Sequence, residues 1–319
     1  MLRAIKTLLW MPLALWAAAA PAADYPDRPV RIVVGYAAGS GVDIAARLYA
    51  KPLSAKFRQP FVIENRPGAA SSVAAASVAR ASKDGYTLFM ASSTNAVNAI
   101  TPNLGFDFAR DFAPIALTTR QPFVLVASPS LGIDTVKQLV ARNQEKPGEV
   151  FFASTGVGGT GHLTGELFNI RSGAKLTHVP YQGAGPIIAD LIAGRIAVTF
   201  LPASTVVGHI EAGSIKGLAT AGTARSPAMP NVPTMAEAGV PDLEVTGWEG
   251  LVAPAGTPDE IVQSLADAVS AAWRSDEILA VTQKQGALPG TGTPAQFRDF
   301  IASEIQKWQG VAASANLTR

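Results

Sequence analysis

The groups best placed to do chemistry in this chain are backbone amides. In "GYAAGSGVD" (Gly35 to Asp43) an apolar strand runs into glycine and small residues and then into a helix, which leaves the N–H groups of Gly39, Ser40, Gly41 and Val42 at a helix N-terminus. Such a terminus attracts anions, and glycine lets a ligand approach the backbone closely. The plainer alternative is a strand-to-helix turn in which Asp43 caps its own helix. The loop has neither the G-x-G-x-x-G spacing of a dinucleotide fingerprint nor the lysine of a P-loop. A second loop, in "FASTGVGGTGHLTGELF" (Phe152 to Phe168), repeats the pattern with Ser154, Thr155, Gly156, Gly158, Gly159 and Thr160 ahead of a helix from about Gly161. Placed in different lobes, two such helix N-termini can hold an anionic group from both sides of a cleft. A third stretch, "ASSTNAVN" (Ala91 to Asn98), offers Ser92, Ser93 and Thr94 after another strand, and by itself it reads as a helix N-cap.

Side-chain catalysis finds little support. His162, His178 and His209 have no metal-type spacing, and there is no cysteine to share coordination or to act as a thiolate. No G-x-S-x-G nucleophile elbow occurs. Two roles stay open for His162 at a helix start, donation to a bound carboxylate or satisfaction of nearby backbone. Asp43, Glu64 and Asp84 sit in turn or cap contexts rather than as an acid/base pair.

These loops need elements to position them, and the composition supplies a globular frame: 319 residues, 48% hydrophobic and 16% charged. Arg3 and Lys6, the apolar run Leu8 to Ala20 and the small residues Ala20-Pro21-Ala22 read as a secretory signal peptide over residues 1–22. The apolar run is short for a bilayer span, so a retained anchor is the weaker reading. Removing Arg3 and Lys6 from a formal net charge of +2 leaves zero, and with no basic run the chain has no footprint for nucleic acid. The absence of cysteine in an exported chain rules out a disulfide framework.

Along the mature chain short apolar strands alternate with helices. Strands are expected at Val30 to Val34, Phe61 to Glu64, Thr87 to Ala91, Phe123 to Ala127, Phe151 to Ser154, Lys175 to Val179, Val198 to Phe200, Gly217 to Thr220 and Glu249 to Ala253. Helices are expected at Val42 to Phe57, Ala69 to Ala81, Val136 to Gln144, Gly161 to Ile170 and Pro186 to Ala193. This is an α/β pattern with largely parallel sheets. Pro67-Gly68 suits a type II turn. Thr257-Pro258-Asp259-Glu260 and Thr293-Pro294-Ala295-Gln296 read as capping boxes that open two closing helices, Pro258 to Arg274 and Pro294 to Ala313. The length suits two lobes, with crossovers where the strands of "FVLVASPS" (Phe123 to Ser130) and "GLVAPAGTP" (Gly250 to Pro258) end in proline.

Several segments, in order, resemble the signatures of one family: "YPDRPVRIVVGYAAGSGVDIAAR", "VIENRPGA", "DGYTL", "FASTGVGGTGHLTGELF", "HVPYQGAGPIIADLIAGRI", "PNVPTMAEAGVP" and "LVAPAGTP". The family is that of the tripartite tricarboxylate transporter substrate-binding proteins, the Bug or TctC receptors. The resemblance implies a type II, Venus-flytrap periplasmic binding protein with two mixed, mainly parallel sheets and a ligand cleft between lobes. It implies residues 23–122 and 249–319 as one lobe and 123–248 as the other. It further implies a monomer without a cofactor or metal, which takes a small organic acid and passes it to membrane permease subunits. Carried over by motif, the ligand-binding positions are Tyr36, Ala37, Ala38, Gly39, Ser40 and Asp43 on one side and Ser154, Thr155, Gly158, Thr160 and His162 on the other. Ser92, Thr94, Tyr181 and Gln182 would line the remaining walls.

Three departures from the family pattern bear on the ligand. Ala37 and Ala38 stand where many relatives have prolines, Gly159 where serine is common, and Leu201 where an aspartate often follows the strand phenylalanine. With Leu201 facing the cleft an amino-acid ammonium would lose a partner, which points to a plain or aromatic carboxylate. A sensor that presents its solute to a membrane signalling protein, such as a kinase, would have the same sequence, and an envelope hydrolase is the third and weakest class.

Overall fold

The computed structural model describes residues 25–99 and 104–314, so the signal peptide expected at 1–22 lies outside the described residues. In chain order the elements are β1 (Val30–Val34), α1 (Gly41–Phe57), β2 (Phe61–Asn65), α2 (Ser72–Ala79), β3 (Thr87–Ser92), α3 (Ser93–Asn98) and β4 (Phe112–Ala127). There follow α4 (Val136–Glu145), β5 (Phe151–Ser154), α5 (Thr160–Ser172), β6 (Thr177–Pro180), α6 (Ala184–Ile192), β7 (Val198–Pro202), α7 (Ala203–Glu211) and β8 (Lys216–Thr220). The chain closes with β9 (Thr246–Pro254), α8 (Asp259–Trp273), α9 (Asp276–Lys284), β10 (Leu288–Pro289) and α10 (Pro294–Ser314).

The strands run in the order β2-β1-β3-β9-β4-β7-β5-β6, with β8 and β10 also paired to β4. The outer strands are parallel: β2, β1 and β3 on one side, β7, β5 and β6 on the other. Around β4 and β9 the pairing turns antiparallel. One strand therefore serves two sheets. Phe112 to Pro122 of β4 pairs with β9, and Phe123 to Ala127 pairs with β7. The change of sheet falls at Pro122-Phe123, the start of the run in which its proline end was expected to carry the crossing. Pro122 has no N–H to extend the ladder, and the next donor, Phe123 N, turns to Val245 O at 3.1 Å. The return passes the same point, where Val245 N donates to Ala221 O at 2.9 Å.

Burial explains why these strands read as apolar runs. In β1, Ile32 packs with α1 and α8 through Tyr49, Leu53 and Leu265, whereas Val33 faces Ala75 and Phe89 in the core beneath α2 and α10. A strand covered on both faces loses the alternation of a half-exposed one. In the second sheet Val124, Val126 and Leu201 pack with α6 and α7, and Leu125 and Phe200 fill the opposite face.

Three local expectations fare differently. Thr293 and Gln296 form the capping box of α10, with Thr293 N donating to Gln296 Oε1 at 2.8 Å. Thr257 does not cap α8, because its hydroxyl donates to Pro254 O at 2.8 Å instead. Gly68 is not the third residue of a type II turn: it has the positive φ expected of that position, but φ 144° and ψ 142° are far from the turn's values, and the chain then passes through Ala69, Ala70 and Ser71 at φ 45°, 47° and 74° before α2 begins.

Candidate ligand-binding site

A cavity of about 340 Å³ lies between the two sheets. Its first wall is the loop from β1 into α1, where Tyr36, Ala37, Ala38, Gly39 and Ser40 all face the cavity. Gly39 takes φ 82°, which glycine adopts without strain. Ser40 is the N-cap of α1 and its hydroxyl accepts from Asp43 N at 3.2 Å. Asp43 is buried and does not line the cavity. Its carboxylate accepts from Gly39 N, Arg47 Nε and Asn65 Nδ2, each at 2.9 Å. Burial opposes ionisation there, but the hydrogen bonds from Arg47, Gly39 and Asn65 hold the carboxyl below its ordinary range. Asp43 thus braces the loop from behind. The loop's own bonds leave the Gly41 and Val42 amides, at the first two positions of α1, beside the cavity.

The loop from β5 into α5 is arranged otherwise. Ser154 Oγ is hydrogen-bonded with Gly156 O at 2.9 Å and with His178 Nε2 at 2.7 Å, so the hydroxyl is taken up within the protein. Gly158 N donates to His162 Nδ1 at 3.2 Å, which makes that nitrogen an acceptor and leaves the proton on Nε2, 3.8 Å from Glu166. The two imidazoles lie with ring centres 3.9 Å apart. Burial lowers His162, and burial together with the neighbouring His162 pushes His178 down to about 4. Thr160 is buried and bonded to Ser93 at 3.0 Å and Thr94 at 3.2 Å, a clasp between the two walls. Tyr181 turns its hydroxyl to Asp190 at 2.7 Å.

Of the residues singled out from sequence, the cavity brings together Tyr36, Ala37, Ala38, Gly39, Ser40, Ser92, Thr94, Thr155 and Gln182. Asp43, Ser154, Gly158, Thr160, His162 and Tyr181 do not line it, and each is engaged in hydrogen bonds within the protein. The opposite wall comes from a place that the sequence reading had not weighed as an anion loop. Gln182, Gly183, Ala184 and Gly185 lead into α6, whose N-terminus has no side-chain cap. The signal was present in "YQGAGP", where glycine again separates a strand from a helix. Phe123, Phe200, Leu201 and Pro202 add an apolar surface.

Glu249 was also missed. It sits in β9 between Trp248 and Gly250, is 3% exposed, and reaches the cavity. The Thr119 hydroxyl donates to one carboxyl oxygen, and Gln121 Nε2 donates to the other at 3.0 Å. Gln121 Oε1 in turn accepts from Ser204 N, at the start of α7, at 2.8 Å. Burial pushes Glu249 up to about 7 against these two hydrogen bonds. Its only trace in the sequence is one acid in the apolar strand "GWEGLVAP".

Residues 45–317 match the model of the tripartite tricarboxylate transporter family receptor, TctC. The chain belongs to that family. Among TctC relatives, the protein BugT of Bordetella pertussis is 36% identical over 298 residues, 92% of this chain and 91% of BugT. Rpa4515 of R. palustris, solved with adipate, superposes with a TM-score of 0.89 at 38% identity and covers 92% of this chain and 99% of its own. MatC of Rhodopseudomonas palustris, solved with bound malate, superposes at 0.86 with 31% identity over 90% of this chain and 99% of MatC. This TctC-family chain is therefore a solute receptor by family and a two-lobed periplasmic binding protein by fold. Among the described residues no group of three His, Cys, Asp or Glu side chains is placed to hold a metal ion.

Proposed function

We propose that this receptor holds a small organic carboxylate in the cavity between its lobes and delivers it to membrane permease subunits of a tripartite transporter. The observation that carries the reading is the pairing of helix N-termini. The Gly41 and Val42 amides of α1 and the Ala184 and Gly185 amides of α6 meet the same cavity from opposite walls, and no lysine, arginine or histidine is among the residues that line it. Each N-terminus carries roughly half a positive charge, so two of them suit an anion without a cationic clamp. The adipate and malate of the two structural relatives are ligands of this chemical kind. On this reading Tyr36, Ala37, Ala38, Gly39, Ser40, Ser92, Thr94, Thr155 and Gln182 meet the ligand, and Asp43, Ser154, Gly158, Thr160, His162 and Tyr181 shape the loops that do.

The lobes of this reading are residues 23–122 with 249–319, and 123–248. Residues 1–22 direct export and the mature protein works in the periplasm. The test is thermal unfolding of the protein from Ala23 onward against mono-, di- and tricarboxylates, aromatic acids and acidic amino acids. A ligand at 100 times its Kd adds about 2.7 kcal/mol and raises the midpoint by several degrees. A midpoint that no acid moves would sink the reading.

A further inference from the structure

Glu249 sets a problem for a carboxylate receptor. Its carboxyl reaches the cavity that the anion is to occupy, and two like charges in so enclosed a space repel. Among the described residues that line the cavity there is no cation to offset it. The groups that bond it are Thr119 and Gln121 from β4. Ser92 is its partner across β3. The helices α2 and α3 that pack on β9 contain no ionisable residue. The ionisable groups that feel its charge are the phenols of Tyr36 before α1 and Tyr49 within it. Glu304 of α10 lies on the other face of β9, bonded to Trp248 Nε1 at 3.2 Å.

Building on the receptor reading, we propose that Glu249 enters the complex as a neutral carboxylic acid and donates a hydrogen bond to a second oxygen of the bound organic anion. Each anion captured by the ionised form then takes one proton from solvent onto Glu249, while the ligand keeps its own charge. The ligand class that fits is an anion with an acceptor at both ends: one carboxylate at the helix amides and a second carboxylate or carbonyl oxygen at Glu249. A carboxyl already raised to about 7 by burial is raised further when an anion sits beside it, so uptake grows across the neutral range. Thr119 and Gln121 bond both carboxyl oxygens and so hold the group at the cavity wall.

Titration calorimetry of the mature protein with adipate and with malate, at pH 6.5, 7.5 and 8.5 in two buffers of different ionisation heat, tests this above the range where the ligands' own carboxyls titrate. Affinity should fall towards tenfold per pH unit at the alkaline end, with buffer-dependent heats reporting close to one proton taken up per ligand. Glu249→Gln should lose the pH slope and bind more tightly than the wild type at pH 8.5. Equal affinity at pH 6.5 and 8.5, proton release with affinity rising with pH, or a slope that survives in Glu249→Gln would each overturn the inference while leaving the receptor reading intact. Failure of Glu249→Gln to fold leaves the wild-type proton count to decide. Failure of adipate and malate to bind at any pH would overturn this ligand class, and only failure of the whole acid panel would overturn the receptor reading as well.

Discussion

The loop into α1 and the loop into α5 are made of the same materials, yet they spend them differently. Both place a glycine at the helix start and, four positions on, a polar side chain that accepts its amide: Asp43 for Gly39 and His162 for Gly158. In the first, Asp43 takes the Gly39 amide and Ser40 takes the Asp43 amide, and these bonds lie behind the loop, so Gly41 and Val42 stay beside the cavity. In the second, His162 takes the Gly158 amide and Thr94 takes the Thr160 amide at 3.4 Å, and only Thr155 and Gly161 of that loop reach the cavity. The first loop turns seven residues to the cavity, Tyr36 to Val42, and the second only two, so the first makes the larger part of the wall.

The largest effect should come from filling the first loop. A Cβ at Gly41 would lie 2.9 Å from Ser204 Oγ in α7, so a larger side chain there pushes α1 and α7 apart and covers the amides. Gly41→Val should weaken carboxylate binding by about 100-fold, roughly 2.7 kcal/mol, with a much smaller change in melting temperature. Wild-type affinity in this variant would show that the α1 amides do not meet the ligand.

How far each loop could be read in advance follows from how local its bonds are. The Asp43–Gly39 bond spans four residues, and the strand, glycine and helix pattern around it is visible in "GYAAGSGVD". The bond between Ser154 and His178 spans 24 residues, so nothing near Ser154 announces that its hydroxyl is taken. Glu249 is the extreme case: Thr119 is 130 positions away, and it is β4 that buries the carboxyl. The first part of β4 was itself illegible, because Pro114 and Pro122 interrupt the run and its ladder with β9 shifts register twice. The boundaries of β1 and β5, by contrast, coincide with their apolar runs. The α6 start was placed too late, at Pro186, because proline marks a first turn well and the preceding Gly183, at φ 152°, reads as loop.

A smaller effect separates the loops from the other side. Gly158 sits at φ 75°, a conformation that alanine adopts with strain, and it does not line the cavity. Gly158→Ala should cost about 1 kcal/mol of stability, which lowers the melting temperature by roughly 2–4 °C, and should change ligand affinity far less than Gly41→Val does. An affinity loss as large as that of Gly41→Val would return the α5 loop to the binding surface.

The smallest effect is one of pH and, of the two loops, belongs to the second. His178 is neutral in the folded protein down to about 4, whereas an unperturbed histidine takes its proton near 6.5. Above 6.5 neither state carries the proton, and between 6.5 and 4 the unfolded chain binds it first, so stability falls as the pH falls through that window. His162, lowered by burial, adds in the same direction. The His178 ring is partly exposed, and after discounting for solvent its share at pH 5.5 is below about 1 kcal/mol. The melting temperature of His178→Asn should therefore rise relative to that of the wild type as the pH falls from 6.5 to 5, both measured in the absence of ligand. The α1 loop contributes nothing in that window, since Asp43 is held below its ordinary range and its stabilisation is lost only as the pH falls below that range. Glu249, raised to about 7, takes its proton first in the folded state and pulls the opposite way in this window, so the readout is the difference between wild type and His178→Asn: parallel curves from pH 6.5 to 5 would mean that the imidazole is solvated, and the contrast between the two loops would lose its electrostatic half.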